Sequence, residues 1–237
     1  MTQLPSLKIL TTKKEFRDMA TNAMVKEFNQ RLKLREGLIQ ADIRKMVREA
    51  LKNTATYKSL VGGNSGRFSL MAHFGLPFSQ AATMVNNIID LIVEDIKFPS
   101  PSDSRSASGF FFVVNGKPKG TFRISIEIDY PTLITSPDAS YISFPSGEKI
   151  TWLAWLLDGG IQPIIMDFGI EFDTFPPTRS RSTQAVMTDL DENPKLKAWR
   201  VPPQYGGTIQ SGNWLTKTLG NPIVGNRMLR IIKKALK

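Results

Sequence analysis

The sequence has no cysteine and only one histidine among its 237 residues. The absence of cysteine excludes disulfides, thiolate zinc sites and cysteine nucleophiles, and one histidine excludes every site that needs two imidazoles. Phosphate-binding loops are also missing, because no Lys followed by Ser or Thr comes after the glycine-rich stretch 62–66. Most metal, hydrolase and nucleotide-hydrolysis chemistries are therefore unsupported, and no cofactor is indicated.

Long apolar runs are missing as well. The longest, Ala81–Val93, is interrupted by Asn86, Asn87 and Asp90, and it is shorter than the roughly 20 residues that cross a membrane. The first ten residues show neither the basic start nor the long apolar segment that is typical of a secretory signal. We therefore expect a globular chain that is synthesised in the cytoplasm, with 41% hydrophobic residues available for its core.

The net charge of +10 is divided unevenly along the chain. Residues 1–60 hold 13 Lys and Arg against 6 Asp and Glu, residues 61–192 hold 9 against 15, and residues 193–237 hold 9 against none. Basic ends could bind nucleic acid through phosphate neutralisation. They could equally be solvated, or meet the acidic middle of a neighbouring copy, since charge patterning indicates association without naming the partner.

Helical periodicity dominates residues 1–98. Thr12 and Glu15 form a capping box, which predicts a helix from about Lys13 to Leu34. A second amphipathic helix is predicted after Gly37. A third is predicted from Ser79, a good N-cap residue. The first part of the chain is thus predicted to be a helical half.

The apolar period changes from about 3.6 to 2 beyond the Ser/Pro-rich connector 99–109. Residues 110–190 are predicted to form an antiparallel sheet region that begins with a hairpin of Phe110–Val114 and Thr121–Tyr130, with a basic tip. The other elements predicted after it are strands at 141–144, 163–172 and 183–188, a short helix at about 147–157, and short helices at 213–219 and 226–236 in the basic segment 191–237.

Together these patterns predict an α+β fold. The N-terminal helical half packs on an antiparallel sheet, short helices follow at the C-terminus, and the whole forms one integrated domain with arms.

Two groups of residues are candidates for catalysis. His73 stands in a helical turn rich in Leu, Met and Phe, without the Ser or Asp pattern of a nucleophile elbow, so it is interpreted as a packed or solvent-facing side chain. Asp167, Glu171 and Asp173 have even spacings and would share one face of a strand. Such acids could hold Mg²⁺ in a nuclease, although solvent-facing acids on an amphipathic strand give the same pattern. We expect no catalytic or metal site.

The four tryptophans, Trp152, Trp155, Trp199 and Trp214, could stack on bases, but most stand among Leu and Pro, as core or interface residues do. With Arg200 they are the candidate core or subunit-interface residues. They also belong to an ordered set of segments: Trp152–Gly160, Ile164–Phe168, Ser180–Met187, Trp199–Pro203 and Asn213–Lys217.

This set resembles the neck and tail-completion proteins of tailed phages, especially the neck proteins of contractile-tailed T4-type phages. The likeness extends over about residues 40–220 and includes Thr56–Leu60 and Phe74-Gly75-Leu76. The chain departs from the family pattern at Thr183, where the family favours Gly, and at Gly206, where it favours Ala. These departures bear on the loop around Arg181.

The resemblance implies a virion structural protein without catalysis, a head-to-tail connector or tail terminator that joins the DNA-filled head to the tail. It implies a homo-oligomeric ring, with sixfold symmetry suggested, between a portal-side ring and a tail-terminator or sheath-side ring. DNA would pass through the lumen without sequence recognition. Two other functions stay open: a nucleic-acid-binding module that uses the basic termini, and the Mg²⁺-dependent nuclease.

Two basic segments are predicted to face a partner or DNA. Lys117 and Lys119 flank a proline at the tip of the hairpin, and Arg179 and Arg181 follow a Pro-Pro pair in a loop. Proline stiffens the backbone that carries these cations. We favour an acidic protein surface over DNA as their partner, because DNA that slides through a neck should not be held by many Arg–phosphate contacts.

Overall fold

A computed structural model describes residues 12–62, 69–96, 111–114, 117–120, 128–142, 147–172 and 185–235. The fold is α+β, as predicted. The chain forms two compact units, each built from separate stretches of sequence. The first comprises Met1–Ala41, Lys97–Ser125 and Ile231–Lys237, and the second comprises Asp42–Ile96 and Ile126–Arg230. The units are thus not the consecutive segments expected from the sequence, and the connector 99–109 lies outside the described residues.

The first helix, α1, runs without interruption over Lys13–Lys52. Its predicted capping box is present: the Thr12 amide donates to Glu15 Oε2 at 2.8 Å, and the Glu15 amide donates to Thr12 Oγ1 at 3.2 Å. The Thr12 hydroxyl also donates to Glu15 Oε2, at 2.9 Å, and the backbone and side-chain hydrogen bonds from Thr12 lower the pKa of the Glu15 carboxyl. The predicted break at Gly37 is wrong, because a single glycine costs a helix only about 1 kcal/mol and no proline accompanies it there.

In the first unit, α1 buries Val25, Leu32 and Ile39, which recur every seven residues. Seven residues are close to two helical turns, so these side chains lie along one stripe. The Arg35 Nη1 atom donates to the carbonyl of Ala235 at 2.9 Å, within the same unit. This unit also contains the hairpin of β1 (Phe111–Val114) and β2 (Lys117–Gly120).

The hairpin is antiparallel, with Val114 opposite Lys117 and Phe111 opposite Gly120. Its existence was predicted, but Lys117 and Lys119 lie in the second strand rather than at the tip. Asn115-Gly116, a pair that favours two-residue hairpin turns, separates the two strands in sequence and lies outside the described residues. The predicted second strand, Thr121–Tyr130, lies largely outside the described residues, and its last three residues are not in a strand.

Those last residues begin a helix instead. Asp129 is the N-cap of α5 (Tyr130–Thr135): its Oδ1 accepts from the Thr132 amide at 3.2 Å, and Pro131 is in the first turn. Side-chain and backbone hydrogen bonds from Thr132 lower the pKa of the Asp129 carboxyl. An Asp followed by proline in the first turn is a helix-start signal, and it overrides the alternation of apolar and polar residues that precedes it.

The second unit contains the remaining helices. They are the C-terminal part of α1, α2 (Ala55–Leu60), α3 (Leu70–His73), α4 (Ala81–Glu94), α5, a 3₁₀ turn (Pro137–Ala139), α6 (Trp152–Asp158), α7 (Trp214–Leu219) and most of α8 (Pro222–Ala235). The start of α4 differs from the prediction: Gln80, not Ser79, is its N-cap, and it makes no side-chain capping bond.

The core of this unit is built on α4. Its stripe of Val85, Ile88, Ile89 and Ile92 is almost completely buried, as its helical spacing predicts. Two polar contacts join α4 to α1. The Arg48 Nη2–Asp90 Oδ1 ion pair measures 2.8 Å, and Arg44 donates to the carbonyl of Glu94 at 2.9 Å. The second bond satisfies a carbonyl at the end of α4 that has no partner within the helix.

The strands of the second unit are short. β3 (Tyr141–Ile142) pairs with β4 (Lys149–Ile150), and β5 (Phe168–Phe172) pairs with β6 (Ala185–Asp189), both antiparallel. Over the described ranges, the sheet consists of three separate two-stranded ladders, counting the hairpin of the first unit. Two predicted elements are shorter than expected: the helix after Gly147 begins only at Trp152, because β4 precedes it, and the strand at 163–172 is regular only from Phe168.

Candidate functional site

Four segments that carry the resemblance meet in the second unit: Trp152–Gly160, Ile164–Phe168, Trp199–Pro203 and Asn213–Lys217. Most of a fifth, Ser180–Met187, lies outside the described residues. The Ile164 amide donates to the carbonyl of Trp199 at 2.8 Å, and the Trp199 amide donates to the carbonyls of Ile165 and Phe168 at 3.0 and 2.9 Å. The aliphatic segment before β5 is therefore bonded to the Trp-Arg-Val-Pro-Pro segment. An isolated antiparallel bridge between Ile165 and Trp199 marks this junction.

Aromatic rings fill the space beside that junction. The rings of Trp155 and Trp199 have centroids 5.0 Å apart, those of Phe74 and Trp199 are 5.8 Å apart, and those of Phe74 and Trp152 are 6.2 Å apart. All three pairs are inclined rather than face to face, the geometry that aromatic quadrupoles prefer. We call Phe74, Trp152, Trp155 and Trp199 the aromatic core.

The indoles differ in their polar partners. Trp152 is fully buried, and its Nε1 donates to the carbonyl of Asp138 at 2.9 Å. The indole N–H of Trp214, also buried, donates to Thr54 Oγ1 at 2.9 Å. Trp199 is 3% exposed, and its Nε1 makes no hydrogen bond to a described residue.

Arg200, next in sequence, is exposed and lies outside the core. Three of the four tryptophans are thus core residues, and Trp155 is partly exposed.

Asn213 links the end of α6 to the start of α7. Its Oδ1 accepts from the amides of Leu215 and Thr216 at 3.0 and 3.1 Å, and its Nδ2 donates to the carbonyl of Leu157 at 3.2 Å and to Tyr130 Oη at 3.3 Å. The side chain is fully buried, and each of its polar atoms is bonded. Sequence reasoning identified Asn213 as the start of a motif but not as this junction.

Close backbone contact explains one departure from the family pattern. A Cβ atom on Gly206 would lie 2.5 Å from the carbonyl oxygen of Gly160, which is closer than any ordinary contact. The alanine that the family favours at this position would therefore require the two backbones to separate. Thr183, the other departure, lies outside the described residues.

A groove beside the aromatic core contains the single histidine. Its cavity volume is about 370 Å³, and its lining includes His73, Phe172, Lys197 and Trp199. The rings of His73 and Phe172 meet edge to face with centroids 5.3 Å apart. Neither imidazole nitrogen bonds to a described residue, and burial lowers the pKa of His73 from 6.5 to about 4. The neutral, packed histidine has no nucleophile or carboxylate beside it among the described lining residues.

The lowered pKa of His73 predicts an acid-dependent loss of stability. His73 takes up a proton near pH 6.5 in the unfolded chain but only near pH 4 in the folded chain. The free energy of unfolding therefore has its full value above pH 6.5 and falls as the pH drops from 6.5 to about 4. Between pH 7 and 4.5 the wild-type protein should lose about 2 kcal/mol more than His73→Phe, measured by urea unfolding at both pH values. Equal losses in the two proteins would contradict this account.

The remaining candidates do not come together as a site. Glu171 Oε2 accepts from Thr188 Oγ1 at 3.1 Å, within the β5–β6 ladder, and Asp173 lies outside the described residues. No group of three His, Cys, Asp or Glu side chains that could hold a metal ion occurs within the described ranges. Arg179 and Arg181 also lie outside them, and of Lys117 and Lys119 the structure describes only the strand position.

A second cavity was not foreseen from the sequence. It has a volume of about 370 Å³ and is bordered by the end of α1, the N-terminus of α2, the turn at 204–205, α7 and α8. Lys217 and Arg227 are its cations, and no carboxylate is present among its described lining residues. We call it the cationic cavity. Its walls come from parts of the chain up to 177 residues apart, from Ala50 to Arg227, so no local motif could have indicated it.

Comparison of the chain with protein-family models, with curated proteins and with solved structures gives no match. Within the described ranges, no helix combines the length and the apolar character needed to cross a membrane.

Proposed function

We propose that this protein is a structural component of a tailed-phage neck, which assembles into a ring between the DNA-filled head and the tail and lets DNA pass. The observation that carries the proposal is the convergence of the resembling segments. The α6 helix, the Ile164–Phe168 segment, the Trp199 segment and Asn213 lie far apart in sequence, yet hydrogen bonds and ring contacts join them in one core. Segments that resemble a family and also pack together support a shared fold.

A structural role is also supported by the chemistry available. The tryptophans that could have stacked on bases are largely used in packing, and the single histidine is half-buried and neutral. The two cavities contain no pair of acid and base groups among their described residues. We infer that the protein acts through binding surfaces and not through catalysis.

Surfaces suited to self-association are present on α1. Five large apolar side chains in its first 26 residues are each more than half exposed: Phe16, Met19, Met24, Leu34 and Leu38. Exposed apolar side chains mark protein contacts when they form a large contiguous patch. Ring assembly, in the proposed function with six copies, would provide neighbours for them.

The experiment that tests the function is head-to-tail joining. We expect peptides of the protein in purified particles by mass spectrometry, and we expect cells that lack the gene to accumulate filled heads and complete tails that stay separate. Adding the purified wild-type protein to such an extract should restore joined particles. Normal joining without the protein, or its absence from purified particles, would contradict the proposal.

One observation favours a nucleic-acid-binding function as the second candidate. The exposed side of α8 carries Arg227, Arg230 and Lys233, a row of cations of the kind that neutralises phosphates. This function predicts tight DNA binding by the isolated protein that falls steeply as salt rises. The neck function predicts weak binding, because DNA must slide through the ring.

A further inference from the structure

The cationic cavity has the composition of a site for an anionic group. Lys217 and Arg227 are both exposed, and within the described residues neither takes part in an ion pair. The Lys217 ammonium has one long hydrogen bond, 3.4 Å to the carbonyl of Gly206. Neutral polar groups, among them Asn53, Thr218 and Asn221, complete much of the wall. A carboxylate that enters the cavity would meet two cations, and no acidic side chain among the described lining residues would compete with it.

The shape of the cavity favours a protein carboxylate over DNA. A duplex is a convex rod with one negative charge per roughly 1.7 Å of its axis, and it binds through rows of cations on open surfaces. The cationic cavity is concave, about 370 Å³ in volume, and holds two cations. Such a recess accommodates one or two side chains from a projecting turn. Arg also forms bidentate bonds with a carboxylate.

The same unit carries a turn of the matching charge. Asp189 ends β6, its Oδ1 accepts from the Asp191 amide at 2.9 Å, and its carbonyl accepts from the Asn193 amide at 3.1 Å. These bonds fix a turn on which the carboxylates of Asp191 and Glu192 are exposed. Lys195 follows closely in sequence, yet no ion pair joins it to this turn within the described residues. We call Asp189–Glu192 the acidic turn.

We propose that the cationic cavity of one copy binds the acidic turn of the next copy. The choice of a second copy as partner rests on the proposed function, in which the chain forms a ring. Both surfaces belong to the second unit but are made of different residues. A contact between two different surfaces of identical chains is heterologous, and contacts of this kind close into rings. In this pairing, the acidic middle region of one copy contacts the basic C-terminal region of its neighbour.

Charge reversal tests the pairing directly. The cavity variant is Lys217→Glu with Arg227→Glu, and the turn variant is Asp191→Lys with Glu192→Lys. A matched control, Lys45→Glu with Lys58→Glu, makes the same change in net charge at exposed positions that do not line the cavity. Self-association is measured by analytical ultracentrifugation of the full chain, and far-UV circular dichroism checks the fold of each variant.

We expect the cavity and turn variants each to weaken self-association by at least about tenfold, and the control to change it by less than about threefold. An equimolar mixture of the two variants should recover wild-type association, because each cavity then meets a turn of opposite charge at every contact. A chain with all four substitutions should recover it too. In a ring with an even number of copies, the two variants would alternate.

Several results would overturn the pairing: a wild-type protein that stays monomeric, a control as weak as the cavity variant, or a mixture that fails to associate. DNA binding that the cavity variant loses while its self-association is unchanged would assign the cavity to nucleic acid instead. Because these readouts use pure protein, they are independent of the joining assay. A protein that is monomeric in solution and still joins heads to tails would leave its role in joining standing and overturn only this inference.

Discussion

Replacing Trp152 with alanine is expected to lower the free energy of unfolding by about 3–5 kcal/mol. Trp152 is fully buried and packs against Phe74 in the aromatic core. Truncation removes the largest buried side chain of α6 and leaves a cavity that the surrounding helices can only partly fill. It also leaves the carbonyl of Asp138 without the indole donor that it now has at 2.9 Å, and an unsatisfied buried acceptor costs about 1–3 kcal/mol.

A pair of milder variants separates packing from hydrogen bonding at the same site. Trp152→Phe and Trp199→Phe remove the same atoms from two buried indoles of one core. Only the first of these indoles has a hydrogen-bond acceptor among the described residues. Trp152→Phe should therefore be less stable than Trp199→Phe by about 1–2 kcal/mol.

Urea unfolding monitored by tryptophan fluorescence measures all three variants. Every tryptophan of the chain lies in the second unit, so the signal reports on that unit. Equal stabilities for the two phenylalanine variants would show that the Asp138 bond contributes nothing. A loss below about 1 kcal/mol for Trp152→Ala would be typical of a surface position and would contradict the buried core.

Local signals in the sequence were sufficient for the helices with strong caps. The Thr12 capping box and the Asn213 cap both start helices where expected. Elements that depend on distant partners were less predictable. Before Phe168, the strand expected at 163–172 is paired only through an isolated bridge at Ile165, whose partner, Trp199, is more than 30 residues away in sequence. Alternation of side chains indicates a strand but does not identify its partner.

Competition between weak local signals explains two other differences. Gly37 was expected to separate two helices. The free-energy cost of one glycine within a helix is small compared with the backbone hydrogen bonds of α1 that continue on both sides of it. The turn was expected to extend over residues 115–120, with Lys117-Pro118-Lys119 at its basic tip. Within this range, Asn115-Gly116 is the stronger turn signal, and Lys117 and Lys119 lie in β2. Proline is compatible with a strand that has a free edge.

The candidate surfaces were only partly accessible to sequence reasoning. The tryptophans could be assigned to a core because their neighbours in sequence are apolar. The cationic cavity could not be predicted, since Lys217 and Arg227 are separated in sequence from Asn53 and Gln204, which share its wall. The division of charge left nucleic acid, solvent or the acidic middle of a neighbouring copy open as what the basic ends meet, and the pairing proposed above selects the last of these.

Asn213→Ala is expected to lower the free energy of unfolding by about 3 kcal/mol, well above the loss for an ordinary N-cap substitution. Loss of Oδ1 removes the acceptor for the amides of Leu215 and Thr216, and a lost N-cap costs about 0.5–2 kcal/mol. Loss of Nδ2 also leaves the buried carbonyl of Leu157 without this donor. This second cost, about 1–3 kcal/mol, arises because the same side chain joins the end of α6 to the start of α7.

Asn221→Ala provides the matched control for this prediction. Asn221 precedes α8, and its Oδ1 accepts from the Ile223 amide at 2.9 Å, so it performs the same capping role. It is exposed, whereas Asn213 is fully buried, so its removal should cost only about 1 kcal/mol. Both variants keep all four tryptophans, and fluorescence-monitored urea unfolding compares them directly. If the two losses were equal, Asn213 would be a simple cap, and the link between α6 and α7 would depend on apolar packing alone.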